Sequence, residues 1–304
     1  MRLSRTLALG ASMLVLVVSA CSTGGGSKPT VKIGSVGFDE ARIVAEAYAQ
    51  VLENGGYTVN RDGIGLGDRS VLQPALESGT IDLQPEYIGS GLGSKAYGGT
   101  PTGDPAANKA AFQTILNGKG GGITVLDYSP AQDQNAFVVR KDTADQYKLA
   151  KMSDVAAVVA NLKLGLAKDC PTNPLCAGAL KTAYGIDTSG ATLLDACSTP
   201  MAEALKAKTI DLGELCSTQP DIILDGFVLL ADDKLTQPAD NIAPLVRNDL
   251  LAKVDKTSFE ALLNGVSAKL DTPTLADLYK QVSVDKKDIK NVVSTWLKAQ
   301  GLVK

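Results

Sequence analysis

The chain has 304 residues, with 30 Lys+Arg against 33 Asp+Glu, no histidine and a formal net charge of −3. That balance excludes a basic field for nucleic acid, and the missing imidazole removes the commonest general base and metal ligand. With 44% hydrophobic residues and one long apolar run near the N-terminus, the rest reads as an exported α/β chain long enough for two lobes.

Arg2 and Arg5 precede the apolar stretch from Leu7 to Val18, which is too short to span a bilayer comfortably. This is the pattern of a signal peptide over residues 1–20. Val18-Ser19-Ala20-Cys21 resembles the lipobox of bacterial lipoproteins. The resemblance implies cleavage before Cys21, lipidation of that residue and anchoring to the cell membrane, with residues 21–30 as a flexible Gly/Ser-rich tether. An ordinary secretory signal ending on a chance Cys is the alternative. Loss of the two signal arginines leaves a mature net charge of about −5.

The mature chain opens with a strand at residues 31–36 and a helix from Asp39 to about Asn54, whose apolar face is Ile43, Val44, Ala47 and Val51. Asp39 and Glu40 suit the positive end of its dipole, and Gly55-Gly56 stops it. A second strand at residues 57–60 leads into Gly63-Ile64-Gly65-Leu66-Gly67. This run lacks GK[ST] and dinucleotide-binding spacing, and it reads as a loop near a cleft. After a helix over residues 69–78, Ile81-Asp82-Leu83 begins a buried strand that breaks at Pro85. Tyr87, Gly89 and Ser90 follow where the next helix presents free N–H groups.

Residues 106–117 read as a helix and 123–128 as a strand, ended by Ser129-Pro130. Asp133, Gln134 and Asn135 then precede the apolar run Ala136-Phe137-Val138-Val139, which carries the chain into a second lobe. As the polar end of a crossover they are candidate ligand groups, or side chains capping a turn. Lobe two continues with a helix from Ser153, a strand at 162–166, a helix at 177–184 and a strand at 192–195. A helix at 199–207 and a strand at 210–215 follow, and residues 227–230 carry the chain back. Residues 75–83 and 204–212 echo each other across 129 positions, ending in Ile81-Asp82-Leu83 and Ile210-Asp211-Leu212. Either two similar lobes flank a crevice, or a common local sequence recurs by chance. Helices at about 258–270, 274–282 and 285–300 complete lobe one, with Trp296 in its core.

With Cys21 set aside, Cys170, Cys176, Cys197 and Cys216 allow three pairings in an oxidising compartment. Cys170 with Cys176 flanks a Pro-rich turn, and Cys197 with Cys216 closes a helix-strand unit; this pairing is preferred. Zinc is disfavoured, since CxxC spacing and histidine are both missing, and no metal or cofactor is expected.

The opening Val31-Lys32-Ile33-Gly34-Ser35-Val36-Gly37-Phe38-Asp39-Glu40 resembles that of the osmoprotectant-binding proteins of ABC importers, which take glycine betaine, carnitine and choline. So do Pro85-Glu86-Tyr87-Ile88-Gly89-Ser90, Asp232-Asp233-Lys234 and Asn241 to Arg247. The resemblance implies a two-lobed periplasmic-binding-protein fold of type II, with two strands crossing between the lobes. Lobe one is 31–135 plus 232–304 and lobe two is 136–231. It implies a monomeric, non-enzymatic lipoprotein that closes on a small solute and presents it to ABC permease subunits. A quaternary ammonium is held there by aromatic faces and a carboxylate. The candidate ligand set is Ser35, Phe38, Tyr87, Ser90, Asp133, Gln134, Asn135, Ser217, Thr218 and Gln237. Leu215, Cys216, Ser217 and the stretch Leu235 to Pro238 stand where that family often carries aromatic residues. A polyol, sugar or phenolic compound is therefore the alternative ligand, and ligand sensing the alternative role. Lack of a GxSxG elbow argues further against an enzyme.

Overall fold

The computed structural model describes residues 28–120, 122–168, 170–195 and 197–304. The signal, Cys21 and most of the tether lie outside these residues.

Two five-stranded sheets make the two lobes. Strands β1 (Thr30–Val36), β2 (Thr58–Gly67), β3 (Leu83–Tyr87), β4 (Ile123–Val125) and β10 (Ile242–Arg247) form the first, in the order β2-β1-β3-β10-β4. Strands β5 (Asn135–Val139), β6 (Leu164–Ala167), β7 (Thr192–Leu194), β8 (Leu212–Cys216) and β9 (Val228–Leu229) form the second, in the order β7-β6-β8-β5-β9. In each sheet four strands run parallel and the fifth, β10 or β5, which arrives from the other lobe's side of the chain, is antiparallel to both its neighbours. The chain passes between sheets twice, over residues 126–134 and 230–241. These are the two expected crossings between the lobes, irregular in conformation apart from isolated bridges. They touch through an isolated antiparallel bridge, Gln132 to Asn241, with the Asp133 N–H donating to the Asp240 carbonyl at 3.2 Å and the Asn241 side-chain amide donating to the Ser129 carbonyl at 2.8 Å.

The helix Asp39–Asn54 lies on the first sheet and buries Ile43, Val44, Ala47 and Val51, as its apolar spacing predicts. Against its other side pack the helices Lys256–Lys269, Thr272–Ser283 and Ile289–Ala299, through Phe259, Leu263, Leu275 and Trp296. Each of these three opens on an aspartate, Asp255, Asp271 or Asp288. The carboxylate accepts from the backbone N–H three residues on, satisfying a donor the helix itself leaves free.

Three local readings change. The glycine run is strand, because β2 continues through it beside β1. A Cβ on Gly63 would lie 2.8 Å from the Ile33 carbonyl oxygen, so only glycine permits this close pairing. Pro85 does not end its strand, and β10, itself carrying Pro244, was not anticipated. The two prolines face each other across the β3/β10 ladder, so both missing N–H groups fall on one rung. The expected helix at 177–184 is two wide-turn segments, Pro174–Gly178 and Leu180–Tyr184.

The echo of 129 positions is a structural repeat. In lobe one the Lys32 N–H donates to the Asp82 carboxylate, and in lobe two the Lys163 N–H donates to Asp211. Arg247, at the end of β10, donates to the carbonyls of Leu76 and Glu77. Arg140, after β5, donates to those of Leu205 and Ile210 and pairs with Asp211 at 2.7 Å. Both disulfides form as preferred from spacing, Cys170 with Cys176 and Cys197 with Cys216.

Candidate functional site

A cleft of about 850 Å³ opens between the lobes. Lobe one contributes the β1 end at Val36 to Phe38, the turn Gly67 to Arg69, and Tyr87 to Ser90. The first crossing adds Asp133 to Asn135, the second adds Gln237 to Asp240, and lobe two adds Asn173, Leu175 and Cys216. Strand ends point here because β1 and β3 are parallel and both finish at the gap, so the turns that follow them form its rim.

Phe38 is 45% exposed and its ring lies 5.7 Å from that of Tyr87, tilted by 40°. The Tyr87 ring is mostly buried, and its hydroxyl donates to Glu40 Oε1 at 2.5 Å. Burial, reinforced by the Glu40 carboxyl, lifts the Tyr87 phenol well above its ordinary range. Glu40 sits beneath the cleft floor with its Oε2 buried and without a hydrogen-bond partner among the described residues. Burial and then the facing Asp133 push its carboxyl up to about 8. Asp133 is raised by burial, although the Thr218 hydroxyl donates to it at 2.9 Å. Asp240 is pushed up to about 6 by burial, against the lowering pull of the Ser90 N–H (2.8 Å) and hydroxyl. Arg69 is the one basic residue among the described lining. Its Nε and Nη2 are engaged by Glu86, the shortest contact being 2.8 Å. Glu40, Asp133 and Asp240 have no ion pair with Lys or Arg among the described residues. The site therefore carries unneutralised negative character beside two aromatic faces.

Of the residues singled out from sequence, Phe38, Tyr87, Ser90, Asp133, Gln134, Asn135 and Gln237 line this cleft together. Ser217 and Thr218 stand behind it. The Ser217 hydroxyl donates to the Gln132 carbonyl and accepts from the Gln134 N–H, while Thr218 buttresses Asp133. Ser35 is fully buried and is not brought to the cleft. Its hydroxyl accepts from the Gly65 N–H and donates to the Val36 carbonyl, fixing the β1/β2 edge. Sequence reasoning missed Glu40 and Asp240. Glu40 passed as a first-turn acid, yet it falls on the buried side of an otherwise apolar helix face, and that was the available signal. Asp240 directly precedes the resembled block Asn241 to Arg247 and gave no separate cue.

Two lobes joined by paired crossings around a polar gap define the class of bilobal solute-binding proteins. Within that class the chain belongs to the family of substrate-binding domains of ABC-type glycine betaine transport systems, which matches residues 29–299. The glycine betaine-binding protein YehZ of Escherichia coli is 27% identical over 311 aligned positions, covering 98% of this chain and 99% of YehZ. The carnitine transport binding protein OpuCC of Listeria monocytogenes is 26% identical, covering 86% and 85%. The solved structure of apo YehZ superimposes with a TM-score of 0.77 at 26% identity, covering 90% of this chain and 99% of that one. A glycine betaine/carnitine/choline ABC transporter structure gives 0.79 at 23%, with the same coverage.

Proposed function

We propose that this chain is the extracytoplasmic solute-binding component of an ABC importer and that its cleft takes a small quaternary ammonium solute. One observation carries the reading: the Phe38 and Tyr87 rings line the same cleft as the half-buried Asp133 and the buried Asp240, with no lysine in the described lining. A cation without N–H donors is held by ring faces and by net negative charge, whereas an uncharged polyol uses carboxylates only as hydrogen-bond acceptors and gains nothing from their net charge. Phe38, Tyr87, Ser90, Asp133, Gln134, Asn135 and Gln237 are the contact residues in this reading, with Thr218, Ser217 and Ser35 in support. Lobe one is 31–135 plus 232–304 and lobe two is 136–231, closing as a monomer and delivering the solute to permease subunits. Cys21 carries the lipid anchor after removal of residues 1–20, which mass spectrometry of the protein from its native membrane tests. The functional test is calorimetry with glycine betaine, choline and carnitine, against glycerol, trehalose and a simple phenol. Saturable binding confined to the quaternary compounds supports the reading, and binding only of an uncharged compound overturns it.

A further inference from the structure

Three carboxyls and one phenol around the cleft floor come from four separate segments: Glu40 from the first helix, Tyr87 from β3, Asp133 from the first crossing and Asp240 from the second. Tyr279, on the helix Thr272–Ser283, faces the same cluster. The nearest basic side chain on Glu40's own helix, Arg42, lies 3.6 Å from Asp39, and Arg69 is held by Glu86. Glu40 Oε1 takes the Tyr87 hydroxyl, while Oε2 is enclosed without a hydrogen bond among the described residues, the neighbouring Thr218 hydroxyl being given to Asp133 at 2.9 Å. An ionised oxygen there would be a bare charge facing a second carboxylate, an arrangement a protein interior avoids by retaining a proton.

We propose that Glu40 sets the charge specificity of the cleft: it holds a proton on Oε2 while the cleft is empty and yields it to solvent when a permanently cationic ligand seats over Tyr87 and Asp133. This deepens the proposed function and rests on its cation-binding cleft. The O–H bond of the carboxylic acid breaks, the electron pair stays on Oε2, and the ligand's positive charge takes the electrostatic place of the departing proton. A cation thus meets one more negative group than an uncharged solute does, because only the cation draws the proton off Glu40, so the same pocket discriminates between them. The raised Glu40 and Asp240 carboxyls and the direction found for Asp133 agree with this arrangement.

Choline is the probe, because its charge is fixed and any pH dependence belongs to the protein. Calorimetry of the intact chain is run in buffers of differing ionisation enthalpy. Choline should bind about tenfold or more tighter at about pH 9 than at about pH 6, with close to one proton released near neutrality. In Glu40→Gln the release should vanish and the pH effect shrink to about twofold, the share Asp240 retains. A flat profile in the parent, or an unchanged slope in Glu40→Gln, overturns the proposal. Carboxyl carbon NMR of the ligand-free protein gives a second readout. A signal titrating near 8 should disappear in Glu40→Gln and move down in Asp133→Asn. If Glu40 titrates as an ordinary carboxylate, the proposal fails even if choline binds. If choline does not bind at any pH, the cation-binding reading fails and the NMR titration alone decides whether Glu40 holds its proton.

Discussion

The two lobes share one strand order and one arginine clamp, yet they are stabilised by different means. Lobe one stacks a helix of 16 residues and three of 11 to 14 onto its sheet and buries a large aromatic and aliphatic core. Lobe two has helices of five to eight residues and both disulfides. A topology is thus reproduced while the source of its stability is exchanged: where too little apolar surface is available for burial, cross-links restrict the unfolded chain instead.

The largest test of that contrast replaces all four cysteines of the disulfides with serine. Chain-entropy values of about 2 and about 3 kcal/mol for the two loops predict a combined loss of about 5 kcal/mol. Hydrogen exchange should show the loss in β5 to β9, with β1 to β3 still protected. Equal loss in both sheets would show that the lobes fold as one unit. Next comes the clamp. Arg140→Ala strips a charged donor from two carbonyls and from Asp211, costing about 2–3 kcal/mol by urea denaturation. Arg247→Ala should cost less, because its partner Asp249 is about half exposed and its lobe has the larger core.

Smaller still is the effect of the ring that lobe one alone supplies. Phe38→Ala should weaken choline binding by about 1 kcal/mol, roughly fivefold, with the thermal midpoint nearly unchanged since the ring is half exposed. Tyr87→Ala is a poor counterpart, because Tyr87 belongs to the buried core and its loss would lower the midpoint as well. Tyr87→Phe keeps the ring and removes only the bond to Glu40. The last prediction, set apart because it is read as a slope and not as a single loss, concerns pH. Glu40 is raised in the folded state from 4.5 to about 8, so its stabilising contribution is complete below about 4.5 and disappears as pH rises through 8. Melts of the parent should therefore lose stability on the alkaline side relative to Glu40→Gln, and the loss should be read in lobe one.

Much of this architecture was legible in the chain. The helix Asp39–Asn54 was bounded correctly because its apolar spacing, first-turn acids and terminal glycines all agree. The echo of Ile81-Asp82-Leu83 in Ile210-Asp211-Leu212 marked the repeat, since the aspartate ties down the neighbouring strand in both lobes. β10 stayed hidden because Pro244 reads as a strand breaker until Pro85 is seen opposite it. In the cleft, the polar triplet Asp133 to Asn135 was found from its place before a crossover. Ser35 was misplaced because the alternation of a strand buried on both sides does not say which face meets the gap. Glu40 was overlooked because its significance lies in the distance to Asp133, 93 positions away in the chain.

The bridge between Gln132 and Asn241 has a mechanical consequence. Two separate linkers would let the halves swivel as well as open, but linkers fastened to each other resist twisting and bend about a single line. Because Asp133 and Asp240 sit beside that bridge and are bonded to each other through their backbones, flexing of the joint should shift both carboxylates together.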